Sequence, residues 1–471
     1  MEPIRFGTDG WRGIMGRDFT FERVKLVAQA IADYLTSRGL AERGVVVGYD
    51  TRRWSRRFAE GVSSVMLGNG IRTYMTVRDT PTPAAAFEVL HLRAGGAVMI
   101  TASHNPPEWN GVKYIPYYAG PALPDVTDEL TTRIRELQLK DVKEAPAEQL
   151  RGSGLFELVD PLEPYVVFVE KQLDLQTIRE AHLRVVCDPM HGTSRGYLDR
   201  LLQEAGCDVQ LIRAEPDPDF GGHRPEPVPE YLVELKARVQ ASGAELGFAT
   251  DGDADRLAVY DSDGSYLAAN DLLPVLFEHL LRKSRRGGLV RSVATTHLAD
   301  RIAESHGLPV YEVPVGFKHV GQYLREKDVV IGAEESGGFS FKGHISEKDG
   351  ILACLMVAEA RAYAGKPLRK LLEELFAKYG RHLSGRISVP SSPRDLEASL
   401  TSLSAAPPER IAGRRVVGVN RLDGVKLLLE DGSWLLIRPS GTEPIVRVYA
   451  ESTDRERLTA ILEAGKTLLQ K

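Results

Sequence analysis

The sequence predicts an α/β protein: three successive α/β domains with mixed, mainly parallel sheets, followed by a C-terminal α+β domain. Three observations carry this. The chain has 471 residues, more than one hydrophobic core organises, and that length suggests about three or four domains. A pattern of apolar strand, polar loop, amphipathic helix ending near glycine and second strand occurs three times. The final segment departs from it and reads as a strand hairpin with a closing helix.

The first copy runs from Val45-Val46-Val47 through a helix around Phe58 to Leu67, then past Gly70 into Ile71 to Val77. The second starts at Val185-Val186 and passes through a helix around Tyr197 to Ala205, then Gly206, into Val209 to Ile212. The third has a helix from about Leu298 to Ser305, then Gly307 and Val310 to Val313. Each copy implies two parallel neighbours joined by a crossover. Their spacing is unequal, which describes diverged domains and not a solenoid. In the last segment Val425 to Glu430, Asp431-Gly432 and Trp434 to Ile437 give the hairpin, followed by strand Ile445 to Ala450 and a helix. Joints are expected in the Pro/Ala/Gly-rich stretch Ala145 to Gly154, near Tyr260, and after Lys378. The expected domains are therefore 1–153, 154–260, 261–379 and 380–471.

Composition excludes several classes. Hydrophobic residues make up 43% and charged residues 27%, as in ordinary globular domains. The net charge is -5, with 60 basic and 65 acidic residues intermixed, so nothing global argues for nucleic acid or an anionic membrane surface. Cys187, Cys207 and Cys354 are scattered, in neither disulfide nor metal-ligand spacing, and suit a reducing compartment. No window approaches the roughly 18 uninterrupted apolar residues of a membrane span, and the polar, glycine-rich start lacks a signal core. A cytoplasmic location follows as the expectation.

Four loops hold the candidate chemistry. Thr101-Ala102-Ser103-His104-Asn105-Pro106-Pro107 follows the apolar run Ala97 to Ile100 and precedes Asn110-Gly111-Val112-Lys113. Ser103-His104 alone reads first as an ST-turn serine with a capping histidine. As a nucleophile Ser103 needs a base or an electrostatic cradle, and His104 and Lys113 are nearby candidates. Asp251-Gly252-Asp253-Ala254-Asp255-Arg256 lies between two apolar strands. Carboxylates at i, i+2 and i+4 of extended or loop backbone can converge, repel one another without a cation, and as hard oxygen donors favour Mg²⁺; the alternative is a solvated acidic turn. An EF-hand is excluded, because Arg256 stands where its turn glycine belongs and Ser262 where its bidentate glutamate belongs. Glu334-Glu335-Ser336-Gly337-Gly338, after Val329 to Ile331, could bind vicinal sugar hydroxyls or be a charged surface turn. Arg438-Pro439-Ser440-Gly441-Thr442-Glu443-Pro444, with Arg447 beyond, offers hydroxyls, loop amides and two guanidinium groups suited to phosphate, or is a plain turn with a capping serine.

Together with Phe6-Gly7-Thr8-Asp9-Gly10-Trp11-Arg12-Gly13, these loops resemble, in order and over almost the whole chain, the α-D-phosphohexomutase family. The resemblance implies four domains around a central cleft, each contributing one loop. It implies that Ser103 carries a phosphoryl group and that Asp251, Asp253 and Asp255, with the phosphoserine, hold Mg²⁺. Glu334 and Ser336 would bind sugar hydroxyls; Arg438, Ser440, Gly441, Thr442 and Arg447 would hold the non-reacting phosphate. Arg12, His104, Lys113 and Arg256 would stabilise charge and move protons. The implied reaction interconverts hexose 1- and 6-phosphates through a hexose 1,6-bisphosphate, which also serves as activator. A closed cleft keeps water from the phosphoserine, with the last domain hinging near Gly380.

Glu334-Glu335-Ser336-Gly337-Gly338, Gly316-Phe317-Lys318 and His344 to Gly350 look most like phosphoglucomutases. Glucose phosphate is therefore the expected substrate, with Lys318 and Lys348 as contacts and phosphomannomutase, dual-specificity or phosphoglucosamine mutase activity as alternatives. Ala333 replaces an expected glycine, which bears on loop conformation. A metal-dependent phosphatase would share Ser103 and the aspartates but gives no reason for a distal-phosphate loop. A non-catalytic sugar-phosphate sensor would need neither Ser103 nor the complete triad. The partner is a small phosphosugar, without nucleic acid or membrane, for a monomer or homodimer.

Overall fold

The computed structural model describes residues 3–7, 10–146, 154–390, 400–439 and 445–469, which form four sheets. In the first, the strands lie in the order Trp11–Ile14, Trp109–Pro116, Gly96–Ile100, Val45–Tyr49, Thr73–Thr76, Phe156–Val159. Val45–Tyr49 is buried at every position and pairs in parallel with Thr73–Thr76 and Gly96–Ile100. Such an unbroken apolar run belongs to a strand covered on both faces. Helices Phe21–Ser37, Ser55–Gly68 and Thr82–His91 pack around this sheet, the last placing three fully buried alanines, Ala84 to Ala86, against the core.

The second sheet runs Tyr266–Leu267, Leu257–Asp261, Leu246–Thr250, Arg184–Asp188, Asp208–Leu211, and the third runs Val310–Val313, Gly288–Ser292, Val329–Ala333, Phe339–Phe341. All three strand–helix–strand copies deliver parallel pairs. The fourth sheet is antiparallel throughout, from Leu383–Pro390 to Arg410–Ile411, with helix Arg455–Leu468 against it. The molecule thus has the three α/β units and α+β end that the pattern predicts.

Two edge strands fall across the expected joints. Phe156–Val159 lies beyond 153 yet pairs in parallel with Thr73–Thr76, and Tyr266–Leu267 lies beyond 260 yet pairs with Leu257–Asp261. Composition marks a polar connection but not whether the chain returns to the sheet it left.

One topological feature positions the site. In each α/β unit a central strand is followed by an antiparallel neighbour: Gly96–Ile100 by Trp109–Pro116, Leu246–Thr250 by Leu257–Asp261, and Val329–Ala333 by Phe339–Phe341. Trp434–Pro439 and Ile445–Ser452 repeat this in the last sheet. The four candidate loops are the connections of these four pairs. Ala333 ends its strand outside the left-handed backbone region, so its methyl group demands no glycine there. Gly380 caps helix Leu368–Tyr379 with φ 93°, a left-handed turn into the last domain. Among the described residues, no helix is long and apolar enough to cross a membrane.

Glu88, buried on helix Thr82–His91, has an Oε2 with no hydrogen-bond partner, and burial, aided by Asp160, pushes its carboxyl up to about 7. Its unfolded value is about 4.3. Between these values the folded chain keeps a proton that the unfolded chain releases, so this group's contribution to stability falls as pH rises through the window. Glu88→Gln is expected to melt higher than wild type at pH 8 and to lose that advantage near pH 4, as thermal melts across pH would record.

Candidate active site

Ser103 has a left-handed backbone, φ 51°, and its amide donates to Thr101 Oγ1 at 2.8 Å. The residue is buried; its hydroxyl donates to Asp251 Oδ2 at 2.8 Å and lies 3.3 Å from His104 Nδ1. The turn from Asp251 to Arg256 holds its own first carboxylate, since Asp251 Oδ1 accepts from the amides of Asp255 and Arg256 at 3.0 and 3.1 Å. Asp253 Oδ2 accepts from Thr82 Oγ1 and from Lys113 Nζ, both at 2.6 Å. Asp255 Oδ2 accepts from Lys113 Nζ at 2.8 Å and lies 3.1 Å from Lys348 Nζ. A Cβ on Gly252 would stand 2.8 Å from the Ser103 carbonyl oxygen, so glycine lets the two turns touch.

All three aspartates are fully buried. Burial, with Asp255 and Asp253 beside it, pushes the Asp251 carboxyl well above the usual carboxylate range. Burial pushes Asp253 the same way, but the ammonium of Lys113 and the Thr82 hydroxyl outweigh it and hold that carboxyl below the range. One turn thus contains a carboxyl that resists ionisation and another locked as carboxylate.

Above this cluster lies a cavity of about 430 Å³ lined by residues from all four sheets' domains. Arg12 and His104 of the first domain, Arg256 of the second, Glu334, Ser336 and Lys348 of the third, and Arg386, Arg438 and Arg447 of the last line it. Glu334 Oε1 accepts from the Gly316 amide at 2.6 Å, and the Leu257 amide donates to the Gly337 carbonyl at 3.2 Å, joining the sugar-loop candidate to the aspartate turn. Arg438 Nε donates to Asp423 Oδ2 at 3.0 Å.

Models of phosphoglucomutase/phosphomannomutase α/β/α domains I, II and III match residues 3–141, 163–264 and 268–379, and that of the family's C-terminal domain matches 398–465. A phosphoglucomutase/phosphomannomutase of Thermococcus kodakarensis is 32% identical over 99% of this chain and 98% of its own. The chain belongs to the phosphoglucomutase/phosphomannomutase family. A "probable phosphoglucosamine mutase" of Methanothermobacter thermautotrophicus is also 32% identical, over 100% of this chain and 98% of its own. A solved phosphomannomutase-like structure from Thermus thermophilus superposes with a TM-score of 0.87 at 34% identity, covering both chains completely. The protein is accordingly an enzyme of the phosphohexomutase type.

Within this family member, Ser103, Lys113 and the three aspartates sit beneath the cavity wall, while Arg12, His104, Arg256, Glu334, Ser336, Lys348, Arg438 and Arg447 face the cavity. Lys318 is half-buried in the first turn of helix Phe317–Glu326 and is not among the cavity-lining residues, whereas the neighbouring Gly316 and Phe317 are. Ser440, Gly441 and Thr442 lie outside the described residues. Sequence reasoning missed Thr82, Arg386 and the part played by Glu335. Arg386 Nη1 lies 3.8 Å from Glu335 Oε1 across the cavity, and its only sequence signal is a charged residue on a strand at the start of the last domain.

The residues fit a divalent cation. One oxygen from each aspartate lies within 4.8 Å of the others, and Asp253 Oδ1 and Asp255 Oδ1 are buried without a hydrogen-bond partner, with Arg256 Nε 3.8 Å from Asp255 Oδ1. Lys113 engages the opposite oxygens, Oδ2 of each, so the Oδ1 atoms remain for a hard ion. Magnesium is expected to raise the melting temperature of the wild-type protein by several degrees and to leave Asp253→Asn unmoved. Because the ion competes with the proton on Asp251, the wild-type shift should shrink as pH is lowered, a trend visible in melts at fixed magnesium.

Proposed function

We propose that this enzyme interconverts glucose 1-phosphate and glucose 6-phosphate by exchanging a phosphoryl group between Ser103 and the sugar. The observation that carries the reading is the cavity's polarity. One wall backs onto a buried serine and three carboxylates, and the last domain presents three arginines, Arg386, Arg438 and Arg447. Phosphoryl transfer asks little covalent chemistry of a protein and much positioning and charge neutralisation.

Arg438 and Arg447, with Ser440, Gly441 and Thr442, grip the phosphate that is not reacting. Glu334 and Ser336 accept and donate hydrogen bonds to sugar hydroxyls. The free sugar hydroxyl then attacks the phosphorus of phosphoserine, forming the sugar–oxygen–phosphorus bond as the bond to Ser103 Oγ breaks, and His104, whose Nδ1 lies 3.3 Å from Oγ, takes up the hydroxyl proton and passes it to the departing Oγ. Arg12 and Arg256 stabilise the charge on the moving group from the cavity side, Lys113 and Lys348 from the aspartate side. The resulting glucose 1,6-bisphosphate turns over within the cavity and returns its other phosphate to Ser103, so nothing is hydrolysed and the monophosphate leaves isomerised. Magnesium, held by Asp251, Asp253, Asp255 and the Ser103 phosphate, would add charge neutralisation at the reacting end. Lys318 is given no substrate contact.

The names of the relatives divide between phosphoglucomutase/phosphomannomutase and phosphoglucosamine mutase, which keeps mannose and glucosamine phosphates as the second reading. The paired Glu334-Glu335 favours glucose. Coupled mutase assays on glucose, mannose and glucosamine phosphates, with magnesium and a trace of hexose bisphosphate, test this. Glucose phosphate is expected to turn over fastest. Equal rates with mannose phosphate would mean dual specificity, and release of inorganic phosphate in place of isomer would mean a phosphatase. Ser103→Ala is expected to fold with an unchanged melt and to turn over at less than about one-thousandth of the wild-type rate.

A further inference from the structure

The Ser103 turn is gripped from below by a guanidinium to which the chemistry above gives no part. Arg52, just after strand Val45–Tyr49, is buried. Its Nη2 donates to the carbonyl oxygens of Ser103 and Asn105, each at 2.6 Å. Its Nη1 donates to those of Pro106 and Trp109 at 2.7 and 3.1 Å, and its Nε donates to Asp50 Oδ2 at 3.1 Å. A guanidinium has five N–H donors, and here all are committed, four of them to one loop. The ring of Phe220 covers a face of the group, 4.9 Å from its carbon to the ring centroid. Asp50 is anchored in turn: its Oδ1 accepts from Ser55 Oγ at 2.7 Å, and Asn110 Nδ2 donates to Ser55 Oγ at 2.9 Å.

We propose that Arg52 is a positioning residue for the reacting oxygen. By drawing the carbonyls of Ser103, Asn105, Pro106 and Trp109 onto one plane, it holds the left-handed backbone of Ser103 and so fixes the direction in which Oγ points. A non-glycine residue in that region is strained and relaxes unless its surroundings over-determine it. Here they do: the Ser103 carbonyl oxygen is bonded by Arg52 on one side and backed by Gly252 on the other. Asn105 is tied twice, through its carbonyl to Arg52 and through its Oδ1 to Arg12 Nη1 at 2.5 Å, so the same group steadies a residue of the cavity wall. A lysine supplies a point charge with three donors and cannot reproduce this plane.

The role rests on Ser103 carrying the phosphoryl group. The sugar's distal phosphate is gripped from other elements, so misplacing Oγ should lower kcat and spare KM. A displacement of about 1 Å can cost about 100-fold in rate. The test is Arg52→Lys, assayed with glucose 1-phosphate, magnesium and bisphosphate, together with the phosphorus NMR signal of the phosphorylated protein. The expected result is a cooperative melt, kcat down about 100-fold, KM within about threefold of wild type, and a displaced phosphoserine resonance. A wild-type kcat, a kcat that falls only in proportion to the folded fraction, or a loss with an unmoved resonance would overturn the proposal. Should Arg52→Lys fail to fold, Asp50→Asn keeps the guanidinium and loosens its anchor. It should lower kcat in the same sense, and an unchanged kcat there would equally overturn the role. Ser103→Ala run alongside separates the two claims, since turnover surviving in it removes the phosphoserine reading, while turnover surviving only in Arg52→Lys removes Arg52 alone.

Discussion

Three carboxylates buried beside a serine hydroxyl are the constraint around which the first three domains are arranged. An isolated buried charge is expensive, and three adjacent ones are tolerable only if opposite charge and hydrogen bonds reach them. The aspartate turn itself supplies two amides to Asp251 and the Arg256 guanidinium, whose Nε lies 3.8 Å from Asp255 Oδ1. The first domain sends Lys113 and Thr82 to it, and the third sends Lys348. The Gly350 amide donates to the Ala254 carbonyl at 3.1 Å, and a Cβ at Gly350 would stand 2.5 Å from the Arg256 carbonyl oxygen. Domain docking and charge balance are therefore one requirement, and the cavity exists where the docked loops fail to fill the space above the cluster.

The repeated topology explains how three loops and the strand residues Arg438 and Arg447 reach one place. Each leaves a central strand and returns along an antiparallel neighbour, which fixes both ends of the loop in a sheet and leaves only its tip to be shaped. Short, doubly anchored connections suit a site in which an oxygen must face a particular direction. The last domain meets the others through contacts of another kind. Buried Lys426 reaches Glu312, His297 and the Val293 carbonyl, each within 2.9 Å, and Asp423 accepts from the Val315 amide at 2.9 Å. Arg438, which lines the cavity, donates to the same Asp423 oxygen, so this contact and the cavity wall of the last domain are held together.

Most of this was legible in the sequence where chemistry is contiguous. The aspartate turn announces itself because three carboxylates occupy alternate positions between apolar strands, and Ser103 because it follows a buried strand. The three crossovers were legible from helix and strand periodicity. What stayed hidden is what the fold brings from afar. Thr82 meets Asp253 from 171 positions away, and Arg52 meets Ser103 from 51; neither looks different from a surface residue until the strands pair. Lys318, a motif residue in the first turn of its helix, adjoins the lining residues Gly316 and Phe317 without itself being one. The edge strands Phe156–Val159 and Tyr266–Leu267 were missed because a short strand carries too few residues for periodicity to separate it from a loop.

The central claim is that the buried hydroxyl at the cluster is the relay for the phosphoryl group. Intact-protein and peptide mass spectrometry before and after incubation with glucose 1,6-bisphosphate and magnesium tests it most directly. One phosphoryl group should appear on Ser103 and disappear on adding glucose 6-phosphate, with bisphosphate formed in equal amount. A group gained at another residue, or one lost from Ser103 only as inorganic phosphate, would contradict the account.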